Sequence, residues 1–326
     1  YRNEGSSGIR VTMNDVVLGV DIGGTNTKFG LVDFNGTIYH QNEIPTHGNK
    51  SASDLIHRIY QIINPDFLIK SNYKLIGVGI GAPNGNYFTG MIQNPPNLNW
   101  SDLNIETLFE RKFLCDVKLT NDANAAALGE KYFGIAKKID HFIMITLGTG
   151  LGSGIISNKD LIYGYDGFAG ELGHISIDPN GRECNCGKLG CLEMYVSAKG
   201  IKLTIDIFLQ ENPENEFLKL INNQFDGKMI DDEYDKGNTI AENIYRYTGE
   251  KLGFGLAQAA IILNPEAFVF YGGLSKAGDR LFSFTADSMN NNLLQFQKGK
   301  IKLIQSALSD GKAGILGAAS LILYEN

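Results

Sequence analysis

Residues Val16–Tyr39 read VVLGVDIGGTNTKFGLVDFNGTIY, and the fold follows from their punctuation. One apolar run ends at Asp21, the chain turns at Gly23-Gly24, a second run follows, and Asn35-Gly36 turns it into a third. Asn-Gly between β-prone runs is a strong hairpin signal, so the spacing predicts a three-stranded meander. Residues Phe142–Tyr163, FIMITLGTGLGSGIISNKDLIY, repeat the plan. Aligning Val20-Asp21-Ile22-Gly23 with Ile145-Thr146-Leu147-Gly148 gives an offset of 125, that is 145 minus 20, which reads as one domain duplicated once.

Each hairpin carries glycines and a threonine at its tip, Gly23-Gly24-Thr25 and Gly148-Thr149-Gly150. Backbone N–H groups at such tips can approach phosphate oxygens with no Cβ in the way. Taken alone, a glycine-rich hairpin is an ordinary tight turn. Neither tip is a P-loop, and neither completes G-x-G-x-x-G, because Ser153 and Ile155 stand where the last glycine is required. Two equivalent copies, with Asp21 ending the first strand, point instead to a pair of tips clamping a triphosphate. Asp21 is then the residue to position Mg2+, directly or through water, while Lys28 is either a phosphate contact or a solvated strand residue.

A second concentration of chemistry lies in Ala169–Glu193, AGELGHISIDPNGRECNCGKLGCLE. His174 precedes Cys184, Cys186 and Cys191 by ten, twelve and seventeen positions. One imidazole and three thiolates make up a closed tetrahedral zinc site, and four protein ligands leave no position for an activated water, so the metal is structural. The competing reading is a disulfide knot or simply buried thiols. C-x-C-G-x-x-G-C sets its thiols too close for relaxed pairing, and an odd thiol would be stranded. Cys115, in KFLCDVKL, is read as a small core residue with no role.

Composition narrows the classes. A chain of 326 residues with 43% apolar and 20% charged residues suits a soluble protein of two domains. The net charge of -7 and the lack of a Lys/Arg run argue against a nucleic-acid partner. No apolar run reaches the length of a membrane span, and the polar, Gly/Ser-rich start lacks a signal-peptide core, so the cytoplasm is expected. Residues before about Met13 are left out of the fold.

Between the hairpins, VKLTND (Val117–Asp122) reads as a strand running into a helix, ANAAALGEKYFG. Asp122 or Asn121 at that junction caps the helix on the plainest reading. At the mouth of a phosphate clamp, however, Asp122 can accept the proton of an attacking hydroxyl. Ser51–Ser71 reads as one helix, and Leu75–Ile80 as a buried strand ending in the turn Gly81-Ala82-Pro83. In IQNPPNLNW, Asn94 and Asn97 are either turn formers or sugar contacts, and Trp100 is a packing residue. Tyr195–Gly255 has a helical pattern interrupted by an acidic, solvated loop, DDEYDKGN. The final apolar helix, within ALSDGKAGILGAASLILYE, is expected to return to the N-terminal domain.

DIGGTNTKFG, GIGAP, TNDANAAALGE, LGTGLGSG, AGELGHI, CNCGKLGCLE and YGGLS occur in the order found in the ROK family of sugar kinases and related repressors. The resemblance runs from about Leu18 to the C-terminus. It implies an α/β, two-lobed actin-like ATPase fold, a duplicated ribonuclease-H-like core with a cleft between the lobes. Residues 1–125 plus 312–326 would form the small lobe and 126–311 the large lobe with the zinc motif. It also implies that Asp122 is the catalytic base and that Asn121, Glu171, His174 and Glu193 contact the sugar. His174, Cys184, Cys186 and Cys191 would bind structural Zn2+. Gly24, Thr25, Thr149 and Gly150 would line the nucleotide loops, with Gly272 and Gly273 near the adenosine. The implied activity is an ATP- and Mg2+-dependent hexose kinase, a glucokinase foremost, acting on the sugar 6-hydroxyl and forming a homodimer. Fructose or N-acetylmannosamine kinases of the same family are the alternatives. A sugar-sensing repressor is a further one, disfavoured because fewer than twenty residues precede the first strand and Asp122 is retained.

Overall fold

The computed structural model describes residues 14–95, 98–309 and 311–324, so Asn97 lies outside the described residues. Backbone contacts divide the chain into two compact units. Unit 1 runs to Asn121 and resumes at Gly314, and unit 2 spans Asp122–Ala313.

Unit 1 opens with the predicted meander, β1 (Asp15–Ile22), β2 (Asn26–Val32) and β3 (Ile38–Pro45). Helices α1 (Ala52–Ile62) and α2 (Pro65–Lys70) follow, then β4 (Lys74–Ala82) and a small sheet of β5 (Gly85–Asn86), β6 (Met91–Ile92) and β7 (Leu103–Asn104). Helix α3 (Ile105–Phe113) and β8 (Asp116–Asn121) complete it. The main sheet has the order β3-β2-β1-β4-β8, antiparallel across the meander and parallel from β1 onward. Nearly every residue of β1 is buried, as a Val/Ile/Leu run covered on both faces requires, whereas edge strand β3 alternates toward solvent. The expected single helix over Ser51–Ser71 is two helices. Pro65 begins α2 and holds Asn64 in an extended conformation, and the Asn64 side chain caps the new helix by accepting the Phe67 N–H.

Unit 2 begins with α4 (Asp122–Tyr132), followed by β9 (Phe142–Leu147), β10 (Leu151–Ser157) and β11 (Asp160–Leu161). After the cysteine segment come α5 (Glu193–Val196), α6 (Ala198–Glu211), α7 (Glu216–Asn223), α8 (Gly227–Asp235) and α9 (Thr239–Leu263). Strand β12 (Ala267–Tyr271), α10 (Asp279–Asn292) and β13 (Lys302–Gln305) close the unit. Its sheet order, β11-β10-β9-β12-β13, repeats that of unit 1 strand for strand, with the same directions. Ile22 and Leu147, the last residues of the two first strands, keep the 125-residue offset. Two mixed sheets flanked by helices are thus the duplicated α/β fold that the hairpins announced.

After its last strand, each sheet hands the chain to a helix of the other unit. Helix α4 follows β8 and packs on β9 and β10, and α11 (Lys312–Leu323) follows β13 and packs on the sheet of unit 1. Because Ala123–Lys131 are all buried, α4 has no solvent face. Helix α11 comes so close to β4 that a Cβ at Gly79 would collide with the Ala318 carbonyl, which only glycine avoids. The acidic stretch read as a loop is also corrected, since Asp231–Asp235 belong to α8. Asp226 caps that helix, Ile230 anchors it in the core, and Asp231 and Asp235 face Tyr245 and Arg280. Among the described residues no helix is long and apolar enough to cross a membrane.

Candidate active site

The expected reacting groups of unit 2 meet around the first turn of α4 and the strand β10. Asp122 stands where β8 gives way to α4, and its Oδ1 accepts the Ala123 N–H at 2.9 Å. It therefore bonds the backbone at the helix start and still keeps an accessible carboxylate. Desolvation by the surrounding protein raises its pKa, with the Ala123 N–H opposing. Asn121, the residue before it, ends β8 in register with Ala82.

Glu171 leads into a single 3-10 turn, Leu172–His174, which lies against β10. Its pKa is raised, first by desolvation and further by the negative charges of Asp122 and Glu193, while His174 pulls it down. Three carboxylates thus share one electrostatic neighbourhood. His174 Nε2 is 4.0 Å from Glu171 Oε2. Glu193 opens α5, and its Oε2 accepts the Leu151 N–H at 2.8 Å, at the foot of the Gly148-Thr149-Gly150 tip. A side chain at Gly150 would collide with that carboxylate. Gly148 O accepts the Ala198 N–H at 2.9 Å, so α5 and the start of α6 hold the tip from one side. Gly272, at φ 105°, packs against the Leu147 carbonyl, and Ser275 Oγ donates to its carbonyl at 2.7 Å. Gly272 and Gly273 accordingly border the same end of β9.

Below Glu171, the ligand atoms of His174, Cys184, Cys186 and Cys191 all lie within 4.8 Å of one another. Cys186 Sγ and Cys191 Sγ are 3.5 Å apart, and Cys184 Sγ is 3.6 Å from His174 Nδ1. A zinc tetrahedron has edges of about 3.8 Å between sulfurs and about 3.5 Å from sulfur to nitrogen, so these residues fit the ion. The loop is preset by its backbone. Cys184 N–H donates to Lys188 O, Gly187 N–H to Cys184 O, and Ile177 N–H to Gly190 O. Desolvation and the neighbouring thiols push Cys191 up to about 12. At Cys186 desolvation is outweighed by the Lys188 N–H and by the other two thiols, so its pKa falls. Thiols of such unequal acidity lose their protons one at a time, and a bound cation reverses that mutual penalty. Because Nδ1 faces the thiols, Nε2 is left toward Glu171. Cys115 is separate, partly buried against the unit 1 core, with burial pushing its thiol up to about 11.

Unit 1 holds the other expected residues. Asp21 is the next-to-last residue of β1, with its carboxylate against Gly314, in the first turn of α11. Beside it the Gly23-Gly24-Thr25 tip is closed by Gly23 N–H donating to Asn26 O. Thr46, the residue after β3, locks the tip. Its Oγ1 donates to Gly23 O at 2.7 Å and its N–H to Thr25 O at 2.8 Å. Lys28 is in register between Asp21 and Glu43. Asn94 adopts φ 43° with its N–H donating to Asp102 Oδ1, as a turn former does. Trp100 is buried, with Nε1 donating to Lys50 O.

Two residues escaped the sequence reading. Thr46 gives no local signal beyond a polar residue after an edge strand. Ser153, buried on β10, hydrogen-bonds both neighbours of Glu171, and its one sequence-level trace is a hydroxyl where a glycine was sought.

The match to the ROK family model spans residues 17–325. A glucokinase of Halalkalibacterium halodurans is 36% identical over 270 residues, covering 81% of this chain and 82% of that protein. A ROK family glucokinase of Streptomyces griseus, solved in complex with glucose and AMPPNP, superposes with a TM-score of 0.78 at 32% identity, over 94% of this chain and 98% of that one. The xylose repressor of Bacillus subtilis is 28% identical over 94% of this chain and 76% of its own length. On these grounds the chain belongs to the ROK family and is similar to its glucokinases.

Proposed function

We propose that this protein is an ATP-dependent hexose kinase that transfers the γ-phosphoryl group to the 6-hydroxyl of glucose. The observation that carries the reading is Asp122, an accessible carboxylate of raised pKa sharing its surroundings with Glu171, His174 and Glu193. Asp122 takes the 6-hydroxyl proton as the sugar oxygen bonds to the γ-phosphorus, and ADP leaves with the electrons of the broken P–O bond. Asn121, Glu171, His174 and Glu193 bind the other hydroxyls, carboxylates accepting and the amide donating, so an analogue lacking one hydroxyl leaves a buried polar group unpaired.

Backbone N–H groups at Gly24-Thr25 and at Thr149-Gly150 are assigned to phosphate oxygens, and Gly272 and Gly273 to the adenosine side. Mg2+ suits Asp21, since this ion takes one or two carboxylates and fills its other positions with water and phosphate. When bound it neutralises phosphate charge. His174, Cys184, Cys186 and Cys191 would hold Zn2+, which would supply rigidity by fixing the imidazole whose Nε2 faces Glu171.

The test is kcat/KM for ATP with glucose, fructose, mannose, allose and N-acetylmannosamine, followed by polyphosphate as donor. Glucose is expected to lead. A lead by N-acetylmannosamine or fructose would move the substrate within the family, and tight sugar binding without turnover on any donor would make the chain a sensor. For the metal, Cys186→Ser is expected to lose zinc by elemental analysis and to raise the sugar KM. Stoichiometric zinc with unchanged KM would refute the ligand set.

A further inference from the structure

Glu171 has φ -79° and ψ 50°, and Leu172 N–H donates to Gly170 O at 2.9 Å across it. Those dihedrals and that bond are the signature of an inverse γ-turn, with Glu171 as its central residue. Ser153 Oγ meets both ends of the turn. It donates to Gly170 O, and it accepts the same Leu172 N–H at 3.2 Å. The residue is 5% exposed and sits on β10, two positions after Leu151, whose N–H holds Glu193. Gly170, at φ 92°, lies so close to β10 that a Cβ there would press on Ser153 O. The loop is thus laid against the strand by contacts on either side of Glu171.

We infer that Ser153 is a positioning residue, whose hydroxyl fixes the γ-turn that aims the Glu171 carboxylate at the sugar. The role rests on the reading of Glu171 as a sugar contact. Three features support it beyond ordinary core packing. The hydroxyl acts as donor and acceptor at once, so alanine removes two bonds from one short turn. Both bonds go to the immediate neighbours of a single side chain. That side chain shares its surroundings with the carboxylates of Asp122 and Glu193, so where the backbone holds it matters to how the three charges are arranged. Strand β10 then serves as a common template, with Leu151 setting Glu193 and Ser153 setting Glu171.

The experiment is a double-mutant cycle read as kcat/KM for the sugar, using the parent, Ser153→Ala, Glu171→Ala and the double variant, with kcat and thermal midpoint recorded for each. Ser153→Ala is expected to raise the sugar KM about tenfold, the size of one or two lost neutral hydrogen bonds, with kcat and the ATP KM within about threefold. In the Glu171→Ala background the same change should cost less than about twofold, because nothing remains to aim. Equal losses in both backgrounds would show that Ser153 supports the fold and not Glu171, and an unchanged sugar KM in Ser153→Ala would refute the role outright. A parent that neither turns over nor binds any sugar would instead overturn the kinase reading on which the role rests. Ser153→Thr, which keeps the hydroxyl, is expected to recover most of the lost affinity if its thermal midpoint matches the parent.

Discussion

The tips of the β1-β2 and β9-β10 hairpins occupy the same place in two copies of one sheet, yet different groups hold them. In unit 1 the lock is a neutral hydroxyl, Thr46, reaching from just beyond the edge strand to Gly23 O. In unit 2 the lock is a carboxylate, Glu193, arriving on a helix from the cysteine segment. The next-to-last residue of the first strand differs as well. Asp21 in unit 1 becomes Thr146 in unit 2, whose Oγ1 turns inward to accept the Gly152 N–H at 3.2 Å. Duplication preserved the backbone cradle and let the chemistry around it diverge. Unit 1 kept a plain glycine turn with a carboxylate beside it, and unit 2 joined its turn to the neighbourhood of Asp122, Glu171 and Glu193.

The largest expected effect strikes the helix that enters each copy. Helix α4 begins with Asp122, whereas the first turn of α11 presents Gly314 to Asp21. Asp122→Asn should lower kcat by about a thousandfold, the range of a lost general base, with sugar affinity within about threefold by titration calorimetry. Turnover within tenfold of the parent would mean that the two helix starts are less different than their residues suggest.

A smaller effect separates the two locks. Thr46→Val is expected to raise the nucleotide KM about tenfold while leaving the sugar KM unchanged, if the turn it loosens binds phosphate as proposed. Glu193→Ala should raise both constants, on the order of tenfold to a hundredfold, because a charged acceptor is lost and the Leu151 N–H is left without it. If Glu193→Ala moved the sugar constant only, tip and sugar site in unit 2 would be independent, and the contrast between the units would reduce to that of two ordinary turns.

The parts legible in the sequence were those with local causes. Glycine punctuation gave both meanders and their offset, and the spacing of His174 from three cysteines gave the cluster, because turns and metal knuckles are set by near neighbours. Pro65 was an equally local signal, yet the single helix expected over Ser51–Ser71 ran through it, and the proline breaks that helix in two. What stayed hidden depends on distant partners. Asp231 and Asp235 read as solvated until Arg280 and Tyr245 come to meet them on α8. Ser153 bonds residues 17 and 19 positions away, and Thr46 one 23 positions away, so no window of sequence displays their roles.

The smallest expected effect is on stability and runs opposite to that on activity. Desolvation raises the Asp122 pKa above its unfolded value, so the folded state holds this proton more tightly. The stability from that proton is fully present below the unfolded pKa and is lost as pH rises through the folded one. Asparagine cannot ionise, and its Oδ1 can still accept the Ala123 N–H. The thermal midpoint of Asp122→Asn should therefore equal or exceed that of the parent near neutral pH, and the difference should shrink below about pH 4, where the parent is protonated in both states. The same ionisation should set the acid limb of kcat/KM in the parent at a pH above the ordinary carboxylate range. A parent more stable than the asparagine variant near neutral pH would mean that the Ala123 bond outweighs desolvation. Asp122 would then be a helix cap first, and the start of α4 would resemble an ordinary helix terminus more than a strained catalytic one.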